Sequence, residues 1–336
     1  MSPLRVGVVG TGFIAGRHLT ALAAFPDVEV VAVADAAPER AQEVAGRHGA
    51  RAYGDGLALL AEEELDAVWL CTPPSAHGPV EAAAAERGLP FFVEKPLAVD
   101  LDGAVEVARA VRERGLLTGV GYHWRALSVV ETAAAALRDA PVHLLTATWL
   151  DSTPAAPWWS RRSGSGGQLV EQTTHLVDLA RLLVGEIATV QALELTTPRQ
   201  AWPEADVPTA SAVLLRFASG AVGTVASSCV LDRRHDVGVQ LVTEGCLVAL
   251  RERALSDHEL RLETSDGERV VQTREDPIAR EDRAFVDALQ GAPERVLVPY
   301  EEGLRTQAAV WAADLSAREG GRPVDVADLL AGALGG

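Results

Sequence analysis

The run Val8-Val9-Gly10-Thr11-Gly12-Phe13-Ile14-Ala15-Gly16 restricts this chain to few folds, because it joins a strand-like segment at residues 4–9 directly to a helical pattern. Gly10 permits a tight turn, Gly12 lets the backbone approach a pyrophosphate, and Ala15 or Gly16 allows the helix to lie close on the sheet. Phosphates bound along Gly10, Thr11, Gly12, Phe13 and Ile14 would face free N–H groups and the positive end of the helix dipole. Asp35 ends the next strand-like segment. An acidic side chain there accepts hydrogen bonds from the adenosine ribose hydroxyls and repels a 2′-phosphate. NAD is therefore the expected cofactor, while Arg40, a turn into the following helix, leaves room for NADP. A Gly-rich structural turn followed by a strand-end Asp is the alternative, and it does not call for the whole strand, turn and helix context.

Strand-like runs at 4–9, 28–34, 67–71, 91–93 and 117–120 alternate with helical patterns near 15–24, 38–48, 79–87 and 101–114. The runs are short and nearly continuous in apolar residues, as buried parallel strands are. The class is thus α/β, with an N-terminal Rossmann sheet, parallel and doubly wound. After about residue 122 the pattern changes. A helix near 129–138, a strand at 142–150, a loop at 151–168 and a helix near 169–184 come first. Strands then dominate, at 188–195, 210–217, 221–230, 237–243, 260–264 and 269–272, with Ser219-Gly220 and Asp266-Gly267 as turn signals. This predicts a large, mostly antiparallel sheet, closed by helices near 279–290 and 301–318. The 336 residues suit two domains, a dinucleotide-binding domain over 1–122 and a second α/β domain over 123–336.

Lys and Arg total 30 against 47 Asp and Glu, a net charge of −17 that repels polyanions and excludes nucleic acid as the expected partner. The 48% hydrophobic content excludes a disordered chain. No stretch approaches the ~20 apolar residues of a membrane-spanning helix. The first residues show no basic segment followed by an apolar one, so a cytoplasmic protein without a membrane partner is expected. Cys71, Cys229 and Cys246 lie too far apart for a zinc pattern and read as small apolar residues.

Of the 30 basic residues, 29 are arginine and one, Lys95, is lysine. Arginine replaces lysine wherever only charge is needed, but its fork is larger and its charge permanent, so a retained lysine points to proton-transfer or close-quarters chemistry. Chance survival of a surface lysine is the alternative. Glu94-Lys95-Pro96 ends a parallel strand, and ligands of such sheets bind beyond the C-terminal strand ends. Lys95 is thereby placed near the expected nicotinamide, with Lys95-Pro96 a candidate cis peptide. Thr72, Pro73 and His77 follow another strand on the same edge.

A second concentration of chemistry follows Gly166-Gly167. Glu171, His175 and Asp178, spaced i, i+4 and i+7, would share one face of a helix. They could be metal ligands, a general acid/base with an orienting carboxylate, or a solvated face; no second His/Cys cluster completes a metal set. Trp158 and Trp159, in the preceding loop, suit either the C–H faces of a sugar ring or the covering of a core or an oligomer interface.

Together the glycine fingerprint, Thr72-Pro73 with His77, Glu94-Lys95-Pro96, the Gly-Gly run before an acid-x-x-x-His helix and the long C-terminal sheet resemble the Gfo/Idh/MocA family (glucose–fructose oxidoreductase, inositol dehydrogenase, rhizopine catabolism). The resemblance spans nearly the whole chain. It implies a Rossmann domain followed by a domain for substrate binding and oligomerisation. The implied activity is hydride transfer between NAD or NADP and a hydroxyl or carbonyl carbon of a sugar, inositol or related polyol. It makes Lys95 the catalytic-site lysine and His175 the general acid/base, with Glu171 where many members have Asp. It places Tyr122 and Arg125 among the substrate contacts, although Arg125 also suits a tie between domains, and implies a homodimer or homotetramer. Redox-neutral elimination through a transiently oxidised sugar, and a non-catalytic regulator on the same fold, are the competing functions.

Overall fold

Six short strands of the first third pair side by side in one direction. They are β1 (Leu4–Val9), β2 (Val28–Ala34), β3 (Arg51–Tyr53), β4 (Ala67–Leu70), β5 (Phe91–Val93) and β6 (Thr118–Val120), in the spatial order β3-β2-β1-β4-β5-β6. All five pairings are parallel. The strand order reverses between β1 and β4, so the turns after these two strands form the switch point at which open α/β sheets bind ligands. This computed structural model describes residues 2–335. The four expected helices appear at Phe13–Ala23, Pro38–His48, Pro79–Glu86 and Leu101–Arg114. Strand β3 has no sequence signal because it is three residues long, with Arg51 and Ala52 exposed at the sheet edge.

The second sheet contains β7 (Leu144–Leu150), β8 (Ile187–Leu195), β9 (Ala210–Phe217), β10 (Val222–Ser228), β11 (Asp236–Thr243), β12 (Cys246–Ala254), β13 (Asp257–Thr264), β14 (Gly267–Thr273) and β15 (Val324–Asp325). Their order is β14-β13-β12-β11-β7-β10-β9-β8-β15. Only β7 and β10 run parallel, and the other neighbours are antiparallel. The class expected from the sequence is thus observed. Gly220 turns at φ +91° between β9 and β10 and Gly267 opens β14 at φ +134°, the two places that Ser219-Gly220 and Asp266-Gly267 marked. Strand β12 was not expected, because its apolar start runs into Arg251-Glu252-Arg253. It forms because β11 and β13 pair with it on both sides.

The chain folds as two compact units. The first comprises the residues through Ala98, Asp102–Ala126 and Ile278–Leu304; the second comprises Val99–Leu101, Leu127–Pro277 and the residues from Arg305 onward. This corrects the division at residue 122. The helix Pro277–Leu289 carries Phe285 and Val286 into the core of the first unit, beside Val6, Val8, Trp69 and Phe92, and leaving them outside would expose that core. Cys71 and Cys229 are buried and Cys246 half-buried, all as free thiols. Burial pushes the Cys71 thiol up to about 12. Among the described residues no helix is long and apolar enough to cross a membrane.

Candidate functional site

In the first unit, β1 runs into the glycine turn. Gly10 adopts φ +86°, and its amide donates to Ala34 O at 2.8 Å. A Cβ at this position would stand 2.4 Å from Cys71 O, so the turn next to β4 requires glycine. At Gly12 a Cβ would meet no protein atom within 4 Å. Nothing among the described residues therefore demands glycine at 12, whereas a ligand lying on the backbone would. The helix Phe13–Ala23 has no side-chain cap at Gly12 and no acidic residue in its first turn, which leaves its first amides open to an anion. These features fit a dinucleotide pyrophosphate. Close packing of helix on sheet falls to Ala15, which is fully buried, rather than to Gly16, which faces open space. Phe13 is 81% exposed, and Ile14 packs partly against the core.

Asp35 accepts from Thr11 N and Thr11 Oγ1 at 2.9 and 2.7 Å, from Ala37 N at 2.8 Å, and from Arg40 Nε and Nη2 at 3.1 and 2.6 Å. Burial opposes its ionisation, but the bonds from Arg40, Ala37 and Thr11 outweigh this and hold its pKa down at about 2. Thr11 thus commits its hydroxyl proton to Asp35, and Arg40 lies directly on the carboxylate instead of apart from it.

The loops after β4 and β5 lie on the same sheet edge. Thr72 and Pro73 are half-buried at its surface, but His77 is turned inward. Its side chain is 1% exposed, with Nε2 3.0 Å from Thr72 O and Nδ1 3.4 Å from Glu81 Oε1, so it braces the loop. Glu94 is likewise interior at 3% exposure, its Oε2 accepting from Lys95 N at 3.2 Å. The half-buried Lys95 is joined to Pro96 by a cis peptide bond. Tyr122 is 1% exposed. Arg125 bonds to Glu302 at 3.1 Å, so this ion pair ties together two segments of one unit, not two domains.

In the second unit the expected helix at 169–184 is broken. Gln168–Glu171 and Thr174–Val184 are separate helices. Thr173 N reaches back five residues to Gln168 O and His175 N only three to Gln172 O, so the regular ladder lapses between them. Glu171 and His175 therefore do not share one continuous helical face. Glu171 instead accepts from Trp159 Nε1 at 2.6 Å. Trp159 is 1% exposed and packs with Val207, Cys229, Ala156 and Trp158. This decides its role for core covering, since a buried indole offers no face to a sugar; Trp158 remains half-buried. His175 is 3% exposed and its ring stacks on Trp149, with centroids 6.1 Å apart and planes 19° apart. Asp178 accepts from Thr306 Oγ1 at 2.9 Å, and Arg181 Nη1 donates to that same hydroxyl at 2.8 Å. Trp149 lay unmarked in the sequence, because an aromatic residue in a strand reads first as core.

The model of an oxidoreductase family with an NAD-binding Rossmann fold, GFO_IDH_MocA, matches residues 4–122, and that of the GFO/IDH/MocA C-terminal domain matches residues 140–247. An inositol 2-dehydrogenase of Rubrobacter xylanophilus is 31% identical over 72% of this chain and 69% of its own length. A levoglucosan dehydrogenase of Pseudarthrobacter phenanthrenivorans is 29% identical over 75% of each chain. Among solved structures, levoglucosan dehydrogenase in complex with NADH and levoglucosan superposes with a TM-score of 0.86 at 25% identity, covering 97% of this chain and 100% of that one.

Proposed function

This chain belongs to the Gfo/Idh/MocA oxidoreductase family, and from that premise we propose that it transfers a hydride between NAD and a hydroxyl or carbonyl carbon of a sugar, inositol or related polyol. The observation that carries this reading is Lys95. The one lysine of the chain stands at the C-terminal end of β5, on the sheet edge where β1 ends in the Gly10–Gly12 turn. Bound nicotinamide supplies the hydride acceptor or donor. Lys95 donates a hydrogen bond to the reacting oxygen, where an ammonium stabilises developing alkoxide charge. His175 exchanges the hydroxyl proton, its ring orientation set by the Trp149 stack. Glu171, clamped by Trp159, orients a substrate hydroxyl or the imidazole. Arg125 and Trp158 are substrate contacts in this reading, Tyr122 is an interior side chain of the first unit, buried as Trp159 is, and Thr72 and Pro73 shape the cofactor loop.

The first unit is assigned to the cofactor and the second to substrate and self-association. Leu193, Leu195, Leu214 and Val222 project from one face of the second sheet and are about half exposed or more, which supports a homodimer or homotetramer, to be measured by light scattering.

The test is NADH absorbance with a panel of inositols, aldoses, anhydrosugars and their acids. Lys95→Met should lower turnover by roughly 10²–10³ or more while NAD affinity stays within severalfold. Unchanged turnover in that variant removes Lys95 from the chemistry.

A further inference from the structure

The first unit buries a row of charged side chains that hydride transfer does not by itself require. His18, on the helix Phe13–Ala23 that begins at the glycine turn, is fully buried. Its Nδ1 lies 2.8 Å from Asp282 Oδ1 and its Nε2 3.0 Å from Glu94 Oε1. Asp282 Oδ1 also accepts from Trp69 Nε1 at 2.8 Å, so it faces the ring as an acceptor. A neutral imidazole donates from one nitrogen only. With a carboxylate oxygen at each nitrogen, the ring is held as an imidazolium. Burial works against that charge, but Asp282 and Glu94 outweigh it and raise the His18 pKa well above its ordinary value. His18 and Glu94 also lie within 4.8 Å of a ligand oxygen of Glu281. A cation is a poor occupant there, since neither nitrogen of an imidazolium has a lone pair to give.

Glu94 is the next link. Its Oε1 meets His18 and its Oε2 accepts from the amide of Lys95. A Cβ on Gly121 would stand 2.6 Å from Glu94 Oε1, so the chain beyond β6 leaves the space the carboxylate fills. One line of bonds therefore runs from Asp282 through His18 and Glu94 to the backbone of Lys95.

We propose that His18, held by Asp282, is a positioning residue for Lys95, acting through the Glu94 carboxylate. The helix that starts at the Gly10–Gly12 turn and the loop that carries the lysine are thereby fixed to each other. Without the imidazolium, Glu94 would be a buried carboxylate that has lost its hydrogen-bonded counter-charge, with Lys95 and His123 left to act on it, and would take up a proton or move, carrying the Lys95 loop with it. The inference deepens the proposed function, because it explains how the lysine is aimed.

The single lysine makes a direct test available. Lysine labelled at Cε with 13C gives one side-chain resonance in this chain, observable with no substrate present. In His18→Gln and in Glu94→Gln the Lys95 signal should move, and the double variant should add little to either single change, because both act on one path. On an active substrate kcat should fall roughly 10- to 100-fold with the NAD dissociation constant within twofold. A Lys95 signal unchanged in either folded variant overturns the proposal. So does loss of NAD binding in both variants, which would mean that the row supports the unit as a whole. If His18→Gln does not fold, Glu94→Gln decides alone. Failure of the hydride-transfer reading is seen separately, as turnover that survives Lys95→Met, and leaves the resonance test intact.

Discussion

At the residue scale, Asp35 and Arg40 show how one contact changes the reading of a motif. The sequence places an acid at the end of β2 and an arginine a turn later, and the two read as competing signals for NAD and NADP. In the fold they are partners, with Arg40 forked across Asp35 while about half its own side chain stays exposed. For NAD to bind as proposed, the ribose hydroxyls take acceptor positions on Asp35 that Arg40 now occupies. Removing the carboxylate frees the guanidinium, which is suited to a phosphate. Asp35→Ser should therefore lower the ratio of kcat/KM for NAD to that for NADP at least ~10-fold, since a like charge no longer faces the 2′-phosphate. An unchanged ratio would show that discrimination lies elsewhere. Glu171 makes a similar point. Its spacing to His175 was legible, but its partner Trp159 was not, because a loop tryptophan twelve residues away carries no pattern that aims it.

At the element scale, the helices and strands that bear the proposed chemistry were legible where local pattern dominates. β1, the glycine turn and the following helix are one continuous signal, and so is the helix Pro38–His48, which has proline in its first turn and Gly49 at φ +67° to end it. Illegible were the elements that neighbours impose, such as the edge strand β3, β12 with its charged second half, and the break at Gln172-Thr173. The helix Pro277–Leu289 was recognised but assigned to the wrong unit. Its Phe285 meets Trp69 edge-on at 5.4 Å and Phe92 at 5.7 Å between centroids and is 1% exposed. Phe285→Ala should cost ~3–5 kcal/mol in urea unfolding. A loss under ~1 kcal/mol would show that this helix is peripheral to the first unit.

At the scale of the whole molecule, a chain of net charge −17 stabilises a positive His18 in its interior, and this gives its stability a pH dependence. The folded-state pKa of His18 is raised, so its contribution is complete below the unfolded value of ~6.5 and is lost as pH rises through the folded value. Glu94 is lowered despite burial, chiefly by the His18 bond, so its contribution is present above ~4.3 and lost as pH falls. Asp282, Glu94 and Glu281 face the ring, along with the Cys71 thiol. The unfolding temperature should thus fall on the alkaline side in the wild type and fall less in His18→Gln; parallel curves would show that His18 carries no extra proton in the folded state. The sequence by itself determined what depends on neighbours in the chain. These are the α/β class, the glycine turn, the alternation of strands and helices, and the single lysine at a strand end. Only the tertiary structure decided which residues far apart in the chain meet. It brought Asp282 to His18 across 264 positions, returned the segment Ile278–Leu304 to the first unit, and gave Glu171 to Trp159. Periodicity and turn chemistry are written within a few residues, whereas a buried ion pair is selected by burial itself, when the packed core leaves a charged group no partner but the one beside it.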